Sequence, residues 1–351
     1  MPLSAVNVIS PAFERMKRQL FQPFRFSQWF RLAVVGLLAG EMGGNGGIGG
    51  QFPSGPSASP GPILQGNNLP FGGGILFVVM IGLIALVALV FVIVLIYISS
   101  RMRFVLFDSV LAGECRIREF WRRRGDVAFR YFVWQILFAL CVLIGIALLF
   151  AFPIGFAFAM GWFSSPRDHV LPLVLGGIVL VLTFLVSIIV TGLVAVLVKD
   201  FVVPQMVFDN VSVGEGWRRL WTMMKLEKGG YAGYVGMKIV LAFSAAIILG
   251  IASVIVLLVL LIPVGGVGAI TVLAGRAAGL TWNPLTIAIA IVVGGIILVA
   301  IILIAALISV PAIVFFPAYS IHFFAERYPA LHAALFPPPS PPEAGGAVLS
   351  A

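Results

Sequence analysis

Charged residues are scarce in this chain of 351 residues, since Asp, Glu, Lys and Arg make up only 10% of it while 61% is hydrophobic. Soluble globular domains carry about 25% charged and 45–50% apolar residues. The mean hydropathy of +1.13 points the same way. This composition excludes a protein whose surface lies mainly in water.

Cysteine and histidine are also rare. Cys115 and Cys141 are the two cysteines, and we predict that they lie at different depths, so they form no disulfide framework. The spacing of His169, His322 and His332 matches no metal-binding motif such as His-Glu-x-x-His. We therefore expect neither a metal nor a cofactor.

Long apolar blocks dominate the sequence. A helix needs about 20 apolar residues to cross a hydrocarbon layer ~30 Å thick, and the blocks predict an all-α polytopic bundle, a single transmembrane domain over residues 1–336. About six spans are predicted, near 26–46, 74–99, 131–155, 171–198, 233–263 and 285–310. The first has the shortest apolar stretch. The Gly- and Pro-rich segment 43–73 is predicted to be an outer loop, and the Pro-rich tail 337–351 to be disordered.

The basic residues predict the orientation. Short loops rich in Lys and Arg stay in the cytoplasm, and of the 22 basic residues only Arg167 and Arg276 fall in loops that we place outside. Both termini are therefore predicted to be cytoplasmic. This asymmetry also supports the weak first span, because without it two basic segments would lie on opposite faces.

Two pairs of segments indicate an internal repeat. Residues 107–114 (Phe-Asp-Ser-Val-Leu-Ala-Gly-Glu) and 208–215 (Phe-Asp-Asn-Val-Ser-Val-Gly-Glu) match at five of eight positions, and 24–32 resembles 129–137. We interpret the chain as about three parallel two-span units with amphipathic cytoplasmic helices. These helices are predicted near 10–22, 107–124, 212–226 and 312–334. Many secondary transporters instead contain inverted repeats.

Basic and tryptophan residues alternate at the predicted cytoplasmic interface. The net charge of +9 could indicate nucleic acid, but attraction to anionic lipid headgroups explains residues that flank apolar blocks more simply. Such residues either anchor adjacent spans or bind headgroups or a protein partner in the membrane. The candidates are Arg25, Trp29, Arg116, Arg118, Trp121, Arg122, Arg123, Arg124, Trp217, Arg218, Arg219 and Trp221.

Ionisable residues inside a bilayer are costly and are functional candidates by default. Glu41 is the best candidate, near the predicted outer end of the first span, where it could equally lie in the outer interface. Ser187, Thr191 and Ser244 complete a possible intramembrane polar site, although hydroxyls in helices also bond their own backbone. We find no convergent ionisable groups and predict no enzyme.

The segment Phe24-Arg-Phe-Ser-Gln-Trp-Phe-Arg-Leu32, followed by the Gly-rich stretch from Gly43, resembles a group of uncharacterised prokaryotic six-span membrane proteins. The layout of span, Gly-Glu, amphipathic Trp helix and span is similar to the membrane domain attached to some bacterial glycerophosphodiester phosphodiesterases. These resemblances imply a prokaryotic cytoplasmic membrane. They bring no catalytic residues, because that chemistry belongs to a separate soluble domain.

The sequence therefore predicts a non-enzymatic integral membrane protein, either a scaffold or a subunit that binds lipid or a protein partner. The alternative is a transporter or channel component for a small or amphipathic solute. That alternative predicts a water-filled cavity that reaches the middle of the membrane and is lined by Glu41, Ser187, Thr191 or Ser244.

Overall fold

A computed structural model describes residues 4–41, 74–277 and 284–336. Helices and their connections make up these ranges, which contain no strand, so the all-α prediction is confirmed there. The predicted outer loop 43–73 and the tail 337–351 lie outside the described residues. The helices are α1 Ile9–Phe21, α2 Phe26–Ala39, α3 Gly74–Ala112, α4 Ile117–Arg123, α5 Gly125–Ala159, α6 Val170–Leu197, α7 Val203–Asp209, α8 Val213–Leu226, α9 Lys228–Ala277, α10 Pro284–Ala325 and α11 Pro329–Leu335.

Among the residues that the structure describes, five long helical segments are apolar enough to cross a membrane, by length and composition. Their most apolar stretches are not buried within the protein, so these surfaces need an apolar surrounding such as lipid tails. This is consistent with a multi-pass membrane protein. The segments are Val78–Ala112, Gly125–Ala159, Val170–Asp209, Lys228–Ile262 and Thr286–Ala325.

The buried residues gather at one end of the long helices, in what we call the basal core. It consists of the buried side chains of α1, α2, α4, α8 and α11 and of the N-terminal turns of α5 and α9, together with those of segments 102–110, 197–207 and 306–325. Aromatic rings fill its centre, where the ring centroids of Tyr234 and Phe323 lie 4.5 Å apart. The basal core thus holds the long helices together while their apolar parts project from it.

Helix α2 is part of the basal core. It has 14 residues and is therefore ~21 Å long, less than the ~30 Å of a hydrocarbon layer. Trp29 Nε1 donates to the carbonyl oxygen of Leu307 at 2.9 Å, and Gly36 lies so close to α10 that a Cβ there would be 2.5 Å from Ile313 Cδ1. The predicted span at 26–46, the first in the chain, stays a prediction because residues 42–46 are outside the described ranges.

The predicted amphipathic segments have different outcomes. Segments 10–22 and 212–226 coincide with α1 and α8, and the Ser212 hydroxyl caps α8 by accepting from the backbone N–H of Glu215 at 3.3 Å. Segment 107–124 is divided, because α3 continues to Ala112 and Gly113 then takes a left-handed conformation with φ +76°. Segment 312–334 is divided between α10 and α11.

The two copies of the predicted repeat touch each other but differ in backbone. The rings of Phe107 and Phe208 lie 6.4 Å apart. In the first copy the helix continues past Asp108, whereas in the second it ends at Asp209 and Asn210 takes a left-handed conformation with φ 54°. The three-unit repeat therefore stays a prediction from sequence.

Candidate functional site

Five ionisable side chains meet in the basal core, and we call them the buried charge cluster. Lys199 pairs with Glu41, and Lys238 pairs with Asp200. Arg103 completes the set, and every member is at least 91% buried. The cluster therefore joins the end of α2 to α3, to the C-terminal end of α6 and to α9.

A π-helical turn at Val198–Val202 positions two of these residues. A π turn inserts an extra residue into an α-helix and is frequent at functional sites. Consecutive residues of this turn contact different helices, since Lys199 reaches the end of α2 and Asp200 reaches α9. The hydroxyl of Tyr234 also donates to Asp200 Oδ2 at 2.9 Å, one helical turn before Lys238. Asp200 thus accepts two hydrogen bonds from one face of α9.

Arg103 lies on α3 and is held mainly by an aromatic residue. Its Nη1 donates to the hydroxyl oxygen of Tyr131, and its guanidinium carbon lies 5.3 Å from the centroid of the Tyr131 ring. Its Nη2 approaches the carbonyl oxygen of Ala39, the last residue of α2, at 3.5 Å. Within the described ranges no carboxylate comes within 4 Å of this guanidinium.

A small cavity adjoins the cluster. Its volume is about 20 Å³, enough for about one water molecule. Two buried polar atoms beside it, Glu41 Oε1 and Arg103 Nε, have no hydrogen-bond partner in the part of the chain that the structure describes. The lining residues are Glu41, Arg103, Leu106, Phe107, Lys199, Asp200, Val203, Pro317 and Ser320.

A second site is an open groove on the surface, which we call the basic groove. It has a volume of about 380 Å³ and is lined by Arg31, Arg116, Ile117, Arg118 and Glu119. Arg116 is engaged, with Nη2 at 3.0 Å from Glu114 Oε2 and Nη1 at 3.6 Å from Glu119 Oε2.

The other two arginines of the basic groove are available for a ligand. Over the ranges the structure covers, neither Arg31 nor Arg118 forms an ion pair, and both are exposed. The same helix as Arg31 presents Phe26 and Phe30 to the outside, with 63% and 42% of their surface exposed. Two free guanidinium groups near exposed rings can bind an anionic group attached to an apolar body.

The profile of a family of unknown function, DUF7544, matches residues 3–334. The chain belongs to the DUF7544 family. No curated protein and no solved structure matches it. The match contains both the buried charge cluster and the basic groove, so both sites lie within the family region. The similarity to the phosphodiesterase membrane domain and the prokaryotic origin stay predictions.

In this DUF7544 protein the predicted tryptophans are partly structural. Trp29, Trp121 and Trp217 are half-buried and pack against the basal core. Trp121 also carries the guanidinium of Arg101 over its ring at 5.0 Å. Trp221 is different, with 50% of its surface exposed. Three of the four tryptophans therefore contribute to the packing of the basal core, and both interpretations from sequence stay predictions.

Several predicted interface arginines are engaged in ion pairs. Arg124 Nε lies 3.0 Å from Asp108 Oδ2, and Arg219 Nη1 lies 2.7 Å from Asp209 Oδ2. Arg219 and Arg218 both bond to Glu215, and these hydrogen bonds hold the pKa of its carboxyl below the usual value.

The other basic candidates lie on the surface. Arg25, Arg118, Arg122 and Arg123 are exposed, so they are free to face lipid headgroups or a protein partner.

The predicted intramembrane polar site is not assembled. Ser187 Oγ donates to the carbonyl oxygen of Thr183 at 2.8 Å, and Ser244 Oγ donates to that of Val240 at 2.9 Å. Neither serine lines the cavity at Glu41, and Thr191 does not line it either.

The sequence interpretation placed Glu41 near the outer face and Lys199 on the cytoplasmic face. Because these two residues form a buried ion pair, they lie at one depth. At least one of the two placements is therefore wrong.

Sequence reasoning missed four members of the buried charge cluster. Lys199 and Asp200 were assigned to a loop because the apolar block before them ends at Val198, yet apolar residues resume at Phe201. Arg103 is likewise followed at once by apolar residues 104–107. Charges with apolar sequence on both sides are the signal that could have indicated their burial.

Proposed function

We propose that this protein is a non-enzymatic multi-pass membrane protein that binds anionic lipid headgroups through the basic groove. The observation that carries the proposal is the groove itself, where Arg31 and Arg118 have no carboxylate partner among the described residues and exposed rings of α2 lie close by in the chain. A guanidinium matches the geometry of a phosphate group, which it can bind with two hydrogen bonds. Aromatic side chains at an interface enter the region between headgroups and acyl chains.

The magnitude of the attraction is modest but sufficient for lipid selection. A basic residue near an anionic membrane surface contributes ~1 kcal/mol, so two free arginines contribute about 2 kcal/mol. This corresponds to a preference of roughly 30-fold for anionic over zwitterionic lipid. Such a preference fits a protein that retains particular lipids or recruits a partner, as expected of a scaffold.

The proposed topology places both termini and the basal core on the cytoplasmic side of a prokaryotic membrane, with six crossings. Support comes from the two ends of α3. Arg103 of α3 lies beside Ala39, the last residue of α2. Gly74, the first residue of α3, lies about 44 Å from Arg103 along the axis of this continuous helix. Residues 39 and 74 therefore lie at opposite ends of the long helices, as an even number of crossings requires when both termini lie on one side.

The transport alternative receives less support. It predicted a water-filled cavity reaching the middle of the membrane, whereas the cavity that Glu41 lines in the described part of the chain has room for about one water molecule. Solute passage would require a different conformation.

The test compares two double variants that remove the same charge. Arg31→Gln/Arg118→Gln removes the two free cations of the basic groove, and Arg122→Gln/Arg123→Gln removes two exposed cations outside it. Each protein is placed in nanodiscs that contain phosphatidylcholine and phosphatidylglycerol, and the retained phosphatidylglycerol is measured by mass spectrometry after purification. We expect a loss of roughly 30-fold for the groove variant and a clearly smaller loss for the control, whose arginines do not line the basic groove.

An equal loss in both variants would mean that the attraction is spread over the basic surface, and the discrete site would be wrong. No loss in either variant would remove lipid binding from the proposal altogether.

A further inference from the structure

Three aromatic rings meet where α1 ends and α2 begins, and we call them the aromatic patch. The ring centroid of Trp29 lies 5.5 Å from that of Phe21 and 5.6 Å from that of Phe24. Phe21 and Phe24 expose 49% and 58% of their surface, whereas Trp29 is half-buried. The patch therefore has an apolar outer side that the described part of the chain leaves uncovered.

Trp29 is fixed in place by a proline of α10. Pro311 lies inside this helix and has no N–H group, so the carbonyl oxygen of Leu307, four residues earlier, lacks its usual helical donor. The indole Nε1 of Trp29 donates to that oxygen at 2.9 Å. Because an unsatisfied carbonyl is costly next to lipid, this hydrogen bond stabilises α10. The sequence of α10 thus determines where the aromatic patch lies on it.

The aromatic patch lies where the lipid-facing part of α10 meets the basal core. Val299 and Ile302 expose 56% and 37% of their surface, whereas Ala306 is fully buried. Leu307 follows Ile302 by five residues, which is ~8 Å along the helix axis. The patch is therefore continuous with the apolar surface that needs lipid tails around it. Tryptophan is enriched at this depth in membrane proteins, where the apolar layer meets the headgroups.

Two cations accompany the aromatic patch. Arg25 directly follows Phe24, and Arg18 lies three residues before Phe21. Both arginines are exposed, and neither forms an ion pair with another residue that the structure describes. Rings with cations beside them fit the boundary of a bilayer, because the rings enter the apolar layer while the cations reach the phosphates.

We propose that the aromatic patch is an interfacial anchor that inserts into the bilayer leaflet next to the basal core. Its rings enter the boundary between headgroups and acyl chains, and Arg18 and Arg25 contact lipid phosphates. The anchor is separate from the basic groove, because Arg31 lies ~200° from Trp29 around α2. Since its rings insert by apolar contact, the anchor does not require anionic lipid.

Spin labels measure the depth of the aromatic patch. Phe21→Cys and Phe24→Cys are made one at a time in a cysteine-free background, labelled with a nitroxide and placed in nanodiscs of phosphatidylcholine alone. Each variant changes one exposed ring, so the fold should persist. Ile81→Cys, on the exposed apolar part of α3, is the lipid reference. Ala333→Cys is the water reference, because it is exposed on α11, which follows the end of α10 ~27 Å beyond Leu307.

Oxygen concentrates in the acyl layer and a nickel chelate in water, so the ratio of the relaxation rates that they cause reports the depth of each label. We expect the ratio at both patch positions to be several-fold above that at Ala333 and below that at Ile81. A ratio equal to either reference would overturn the interfacial placement. Shielding from both reagents would mean that a second copy of the chain covers the patch, and would also refute the anchor. Because the discs contain no anionic lipid, none of these results depends on the basic groove.

Discussion

The ion pair between Glu41 and Lys199 makes a sharp prediction about stability. Its two side chains are 2% and 7% exposed, and they join residues 158 positions apart in the chain. Glu41→Gln keeps the shape of the side chain but leaves the ammonium of Lys199 buried without its carboxylate. Breaking a buried pair in this way costs ~3–5 kcal/mol, because an uncompensated charge stays behind.

The loss translates into a measurable fall in Tm. With an unfolding entropy of ~2.1 cal/mol/K per residue, the 351 residues give a fall of roughly 4–7 °C for ~3–5 kcal/mol. The double variant Glu41→Gln/Lys199→Met removes the stranded charge as well. Since replacing a whole buried pair is often neutral or stabilising, the double variant should regain most of the lost stability.

The assay is thermal unfolding in detergent micelles, followed by tryptophan fluorescence and completed as a double-mutant cycle. The exposed pair of Arg116 with Glu114 provides the control, because surface pairs contribute ~0–1 kcal/mol. A fall of less than ~1 °C for Glu41→Gln, or a double variant less stable than both single variants, would refute the reasoning.

Two further predictions concern packing and topology. Gly36→Ala should destabilise by ~1–3 kcal/mol, because three side-chain carbons of Ile313 lie within 2.9 Å of the new Cβ. Gly36→Ala/Ile313→Ala should lose less than the sum of its single changes, and Gly177→Ala, with nothing within 4 Å, should leave Tm unchanged. In a cysteine-free background, Thr222→Cys on α8 should react with an impermeant thiol reagent only from the cytoplasmic side, and Ser164→Cys between α5 and α6 only from outside. Labelling of both from one side would contradict the proposed topology.

The elements set by local sequence were predictable. Five of the six predicted spans each fall within one long helix, or within such a helix and its π turn, because 20 apolar residues in a row carry the signal by themselves. Helix α8 was also readable, since Ser212 and Glu215 have capping-box spacing and the apolar residues after them recur with helical period.

The candidate sites were only partly predictable, because they depend on contacts between distant segments. Arg116 and Arg118 were chosen as interface residues, but Arg31 was not, and no pattern within α2 shows that it faces the start of α4. The buried charge cluster was missed for the same reason. From the sequence, Lys199 marks the end of a span. Only its contact with Glu41, a residue distant in the chain, shows that it is buried.

Polar contacts have particular weight in a protein with such apolar helices. Lipid tails are as apolar as leucine, so apolar side chains give two membrane helices little reason to prefer each other over lipid. Close packing at small residues and hydrogen bonds between helices must then decide which faces meet. In this chain, Gly36 lets α2 lie against α10, and Glu41 and Asp200 connect the π turn to α2 and α9. Pairing offsets the cost of burying these charges. The pairs form only when the helices are arranged so that Glu41 meets Lys199 and Asp200 meets Lys238.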